Sequence, residues 1–227
     1  MGYSCKALLI RINYSWQGIW KRFPFLLILQ YIYTTDKMNI RDLVTKTRTY
    51  RRFDESYKIE YKTLEQLVGL ARLSASGANK QPLKFLLYNS PEDCTRIFPF
   101  TAWAGYLAEW AGPEPGERPS AYIIILGDSA ISASFGVDHG IAAQNIMLGA
   151  TEAGIGGCII GSIKRNELRK ELKLPLQFEI LLILALGKPV ENVVIEEIKN
   201  GDVKYWRDEE KKHHVPKRSL EELILKL

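Results

Sequence analysis

Apolar positions recur along this chain with two different periods, and the switches between them lay out its elements. From Thr63 to Leu73 the residues Leu64, Leu67, Val68, Leu70 and Ala71 keep the spacing of one buried helical face, which predicts a helix. The stretch "SASGANKQP" that follows is small and turn-forming, and its Pro82 blocks continuation, so "LKFLLY" reads as a strand. "AYIIILG" and "FEILLILALGKP" are unbroken apolar runs, as expected of strands covered on both faces. Between Phe135 and Gly154, Ile141, Ala142, Asn145, Ile146, Leu148 and Gly149 crowd small residues on one side, which predicts a closely packed helix ending at Gly154. "IGGCIIGS" reads as a short strand and "KRNELRKELKLP" as an exposed amphipathic helix. Strands and helices alternate imperfectly, which favours an α+β layer fold over a regular doubly wound one.

Three segments fall outside this pattern. The connection "PFTAWAGYLAEWAGPEPGERPS" is long and rich in aromatics, Gly and Pro, so it is either functional or disordered. The tail from Val190 is polar. Residues 1–37 mix bulky apolar and basic residues with no amphipathic period; Phe25 to Tyr33 spans about 14 Å as a helix, too little to cross a membrane. That leader has two readings, a segment foreign to the native protein, whose start is then Met38, or a membrane-surface anchor; the first is preferred, giving a working domain over 38–227.

Composition changes the picture little: 227 residues at 46% hydrophobic and 25% charged suit one domain or two small ones. A net charge of +5 is too mild to argue for a nucleic-acid partner. Cys5, Cys94 and Cys158 are widely separated and form no metal-binding spacing, which fits a reducing cytoplasm, and Cys158 reads as buried filler. His139 is isolated, and the adjacent His213 and His214 would point apart in a strand, so all are read as structural or exposed rather than metal ligands.

Charge distribution is more informative. "TKTRTYRRFDE" gathers Lys46, Arg48, Arg51 and Arg52 just before two acids, and a second basic pair, Lys217 and Arg218, sits near the other end in "PKRSLEEL". Clusters at opposite ends need only converge on one anion to make a binding site.

Taken in order, "TRTYRRF", "SASGANKQP", "DHGIAAQNIMLGATEAGIGGCIIG", "LALGKP" and "KRSLEEL" resemble the nitroreductase family, from Asn39 to the C-terminus. The resemblance implies a central mixed β-sheet flanked by helices, an intertwined homodimer, and one FMN at each of two interface sites. It implies that NADH or NADPH reduces the flavin, which then reduces nitroaromatic, quinone or similar small acceptors by a ping-pong route without a catalytic side chain. Reductive dehalogenation or flavin destruction is the alternative within it, and a flavin-binding protein that stores or senses FMN without turnover is the alternative of a different class.

By the same resemblance Arg48 and Thr49 grip the phosphate, Arg51 stands beside flavin N1, Arg52 faces out, and Lys217 and Arg218 close over the phosphate. Ser76, Gly77, Asn79 and Gln81 touch FMN or orient the interface, and Ile160, Gly161 and Ser162 supply backbone donors to N5 and O4. The family more often has Pro where Ala75 stands and Trp where Leu83 stands. Gln144 and Asn145 fall on a central helix whose amides can bridge across the dimer, with Asp138 capping or pairing at its start. Trp103, Tyr106 and Trp110 keep a helical spacing, which leaves core or an aromatic lid over the substrate mouth; the lid is preferred.

Overall fold

The structure is a computed structural model and describes residues 38–226; the readings of residues 1–37 lie outside the described residues. Ile40 onward forms one compact unit.

In chain order its elements are α1 (Ile40–Lys46), β1 (Phe53–Asp54), α2 (Tyr61–Arg72), β2 (Leu83–Tyr88), α3 (Pro91–Ile97), β3 (Ala121–Asp128), α4 (Asp138–Glu152), β4 (Gly156–Ile160), α5 (Arg165–Glu171), β5 (Phe178–Pro189), β6 (Val193–Glu197), β7 (Trp206–Arg207), β8 (His213–Lys217) and α6 (Leu220–Leu223). A five-stranded sheet is built on β5. One edge of β5 pairs with β3, which pairs in turn with β2. β4 pairs with its other edge, and β1 pairs with the end of β5 at Lys188 and Pro189. These ladders are antiparallel, and the parallel component of the sheet is the Thr49–Gly157 bridge.

β3 is buried along its whole length because both faces of the sheet are covered. Ala121, Ile123 and Ile125 pack on α2 and α4, whereas Tyr122, Ile124 and Leu126 pack with Cys94, Ile97, Trp103 and Leu168 on the other side. The ladder skips Leu181 between Ile125↔Leu182 and Leu126↔Ile180, and this extra residue returns Ile180 to the face occupied by Ile183. On the first face Gly149 of α4 lets α2 approach closely: a Cβ there would lie 2.2 Å from Leu70 Cδ1. The small residues of "IAAQNIMLGA" serve this contact.

The polar tail is ordered into a second, three-stranded sheet, with β8 between β6 and β7. β6 and β8 run parallel and β7 and β8 antiparallel. The long connection before β3 holds no regular strand or helix between Thr101 and Ser120, yet Trp103 and Ala104 within it are core residues.

Candidate functional site

The end of α1 and the first residues after it are tied to the sheet by specific bonds. Thr47 Oγ1 donates to the Leu43 carbonyl at 2.7 Å and stands 2.9 Å from Thr151 Oγ1 of α4. The Tyr50 N–H donates to the Gly157 carbonyl at 2.9 Å. Glycines on β4 make this approach possible, since a Cβ at Gly156 would lie 2.6 Å from Tyr50 Cδ2, and one at Gly157 would lie 2.6 Å from the Ala185 carbonyl and 3.1 Å from Met147 Cε. Arg48, Thr49 and Arg51 therefore run beside β4, and β8 brings His213, Val215 and Lys217 to the same place. Together with Gln144, Ile159 and Tyr205 they line a cleft of about 310 Å³.

The cleft is cationic. Arg48 donates to the Val44 carbonyl at 2.7 Å, while its buried Nε has no partner among the described residues. Lys217 is exposed at the rim. Arg51 is buried; its guanidinium stands 3.2 Å from His213 Nε2 and 4.7 Å from the centre of the Tyr205 ring. Glu191, buried behind it, accepts from the Arg51 backbone N–H and from Arg207 at 3.1 Å. Burial, followed by the charges of Arg51 and Arg207, pushes His213 down to about 4, so its ring is neutral near neutral pH. Burial likewise pushes the Cys158 thiol up to about 11, which suits filler rather than a reactive thiolate.

A separate cleft of about 400 Å³ lies along the turn after α2 and includes Ser76, Gln81 and Asp138. Asp138 does not cap its own helix. Its carboxylate accepts from the Ser76 hydroxyl at 2.6 Å and the Gly77 N–H at 3.0 Å, and these bonds hold it below the usual carboxylate range. Ser76 Oγ in turn accepts the Gln81 N–H at 2.9 Å. Ala78, Asn79 and Gln81 all adopt left-handed backbone, a costly arrangement that this relay holds in place. Asn79 Oδ1 accepts from the Gln81 side chain at 3.1 Å.

Of the residues singled out in the sequence, Arg48, Thr49, Arg51 and Lys217 share the cationic cleft. Arg218 does not line it and pairs with Glu222 instead. Arg52 does not face out: its guanidinium is held by Glu117, with Nε 2.6 Å from Oε2. Ile160 is corrected by strand parity. The Gly157 carbonyl faces Tyr50, so Gly157 and, by alternation, Ile159 turn their backbone groups away from β5, whereas Ile160 turns its N–H toward β5. Ile159, not Ile160, borders the cleft. Gly161 and Ser162 are exposed just beyond, and the Ser162 carbonyl accepts from Ala102.

The aromatic lid also needs correction. Trp103 is buried in the core with its Nε1–H on Thr101 Oγ1, and Trp110 packs against the same cluster under Arg207. Tyr106 alone of the three is exposed, 5.0 Å from the Tyr205 ring. Asn145 reaches Ser74 of its own chain at 2.8 Å, whereas Gln144 lines the cleft. Sequence reasoning missed Tyr205 and the contact of His213 with Arg51; only once β8 is known to be a strand does its two-residue repeat put His213, Val215 and Lys217 on one side.

Among the described residues no group of His, Cys, Asp and Glu could hold a metal ion, and no helix is long and apolar enough to cross a membrane. The profile of the nitroreductase family matches residues 44–188. Solved structures share the fold at low identity. A nitroreductase family protein from Clostridium novyi NT is 23% identical with a TM-score of 0.56, covering 67% of this chain and 86% of that one. An FMN-dependent nitroreductase from Clostridium difficile R20291 is 21% identical with a TM-score of 0.53, covering 70% and 90%. A protein from Exiguobacterium sibiricum 255-15 in complex with FMN is 20% identical with a TM-score of 0.58, covering 75% and 98%.

Proposed function

The chain belongs to the nitroreductase family, and from that premise we propose that it is an FMN-dependent oxidoreductase using NADH or NADPH to reduce small acceptors such as quinones and nitroaromatics. One observation carries the reading: cations from both ends of the described chain converge on one cleft, where the buried Arg48 Nε is left without a partner among the described residues. A buried guanidinium nitrogen lacking an acceptor is costly, and a phosphate oxygen would satisfy it. Arg48, Thr49 and Lys217 are the residues that would hold the phosphate, with Arg51 toward the ring. Ile159, whose backbone groups point away from β5, and Gly161 and Ser162 just beyond the strand are the candidate donors to the flavin edge, rather than Ile160. FMN bound there would supply hydride chemistry, taking electrons from a reduced nicotinamide and passing them on.

A cleft of about 310 Å³ is at the lower edge of the range of roughly 300–1,000 Å³ for small-molecule sites. FMN would overhang it. In this reading the remainder of the site, including Ser76, Gly77, Asn79 and Gln81, comes from a second copy in a homodimer, and residues 38–227 are the working domain. The test is the absorption spectrum of the purified protein, full-length and started at Met38. Both should carry bound FMN and oxidise NADH or NADPH only when a quinone is added. A colourless protein that takes up no added FMN would overturn the reading; bound FMN without acceptor-dependent turnover would favour storage.

A further inference from the structure

We propose that His213 is a positioning residue of the cationic cleft, a neutral hydrogen-bond acceptor that fixes the Arg51 guanidinium without cancelling its charge. Where it concerns FMN, the inference rests on the flavin reading above.

An arginine guanidinium can only donate. A hydrogen bond across the 3.2 Å contact between Arg51 and His213 Nε2 therefore needs Nε2 unprotonated, which puts the proton of the neutral ring on Nδ1, a buried nitrogen with no acceptor among the described residues. The ring is 1% exposed and cannot turn away easily. Its strand is paired on both sides, with Val193 opposite in β6 and Arg207 opposite in β7, and its backbone N–H donates to the Asn192 carbonyl at 2.8 Å. Tyr205 stands 5.2 Å away, ring centre to ring centre, and also lies under the Arg51 guanidinium. The charged and titratable groups around the imidazole are Arg51, Arg207, His214 and Tyr205, with Glu191 bonded to both arginines.

Chemistry explains why a histidine suits this place. A carboxylate there would hold Arg51 more strongly but would also neutralise it, removing the attraction an anionic ligand needs. A neutral acceptor orients the guanidinium and leaves its full charge facing the cleft. Burial and the two arginines keep the imidazole uncharged, with its pKa pushed down to about 4, so the arrangement survives well below neutral pH. A guanidinium already in place needs no reorganisation when a ligand arrives.

Two variants and two measurements test this. His213→Gln retains an acceptor near the Nε2 position, and His213→Leu removes it. FMN titrations followed by fluorescence should give His213→Leu a dissociation constant about tenfold higher than the parent's, with His213→Gln close to the parent. In an Arg51→Met background, His213→Leu should cause no further loss, because its effect passes through Arg51. Equal losses for Gln and Leu, or an undiminished Leu effect without Arg51, would overturn the proposal. The second measurement needs no flavin and no variant: nuclear magnetic resonance of isotope-labelled histidine in the flavin-free protein. His213 should show a protonated Nδ1 and a bare Nε2, and stay neutral until the pH nears about 4. A protonated Nε2, or titration near the ordinary 6.5, would refute it. A parent protein that binds no FMN would defeat the flavin reading, while the resonance measurement still decides whether His213 holds Arg51.

Discussion

Arg48, Lys217 and Arg218 look alike in the sequence, but the fold gives them different surroundings. Arg48 is half-buried, anchored at one nitrogen on the Val44 carbonyl and unsatisfied at Nε. Lys217 lines the same cleft from the exposed side, and Arg218 is turned to Glu222 on α6. Loss of a hydrogen bond to a charged group costs roughly 1.5–3 kcal/mol, or about ten- to a hundredfold in affinity. Arg48→Met should therefore weaken FMN binding by that order, Lys217→Met should weaken it less, and Arg218→Met should change it little. Arg48→Lys should not rescue, since a compact ammonium cannot keep both the Val44 bond and the direction of Nε. Fluorescence titration of the oxidised flavin checks the ranking; an effect of Arg218→Met as large as that of Arg48→Met would show that Arg218 leaves Glu222 to reach the phosphate.

At the scale of elements, the tail sheet depends on a second histidine with the opposite charge preference. The protonated ring of His214 donates from Nδ1 to Glu196 of β6 at 2.5 Å and from Nε2 to Asp208, just after β7, at 3.1 Å, and it stacks on Trp206 at 3.9 Å. Burial alone would lower its pKa, but the bonds to Asp208 and Glu196 together outweigh it and the pKa is raised. A raised histidine pKa stabilises fully below the unfolded value of 6.5, and the gain is lost as pH rises through the folded value. The depressed His213 works the other way, its contribution present above 6.5 and lost as pH falls toward about 4. Docking of the tail sheet should thus be firmest near pH 6.5 and weaken on both sides. Limited proteolysis or amide exchange of β8 across pH measures this, and His214→Gln should flatten the alkaline arm alone. An alkaline arm unchanged in that variant would place the titration elsewhere.

These tail features show where sequence reading stops. β2, β3, β5, α2 and α4 were legible because each is long enough to display a period or an unbroken apolar run. β7 has only two residues and β6 and β8 five each, too short to declare a period, and the β6–β8 pairing is parallel and non-local. Adjacent histidines could be seen to point apart, but their partners, Arg51 on one side and Glu196 with Asp208 on the other, exist only in the fold. Trp103 misled for a related reason. Its spacing from Tyr106 and Trp110 is helical, yet the segment forms no helix, and core packing decided the outcome. The cationic cluster was readable because local charge density survives any fold, whereas the direction of the Ile160 N–H was not, because backbone direction depends on strand register.

For the whole molecule, the two clefts pose the remaining question. Residues around Arg48 line one cleft and residues around Ser76 line another, with no lining residue in common. If one FMN needs both sets, a single chain does not suffice, and the simplest closed solution is a two-fold dimer with two composite sites. Exposed apolar side chains near these regions, among them Ile40, Leu73, Val137 and Ile141, are candidates for burial in such an interface. Complementation distinguishes this arrangement from a site built within one chain. Arg48→Met damages the cationic cleft, and Ser76→Ala cuts the relay from Asp138 to the Gln81 backbone. At an FMN concentration where neither homodimer retains flavin, a heterodimer purified through different tags on the two chains should retain it at one site. That site combines the undamaged cleft of the Ser76→Ala chain with the undamaged turn of the Arg48→Met chain, while the other site carries both lesions. The flavin content of the heterodimer should therefore be half that of the parent dimer. An empty heterodimer would mean that each chain builds its own site, and a Ser76→Ala homodimer that keeps its flavin would remove the turn after α2 from the site.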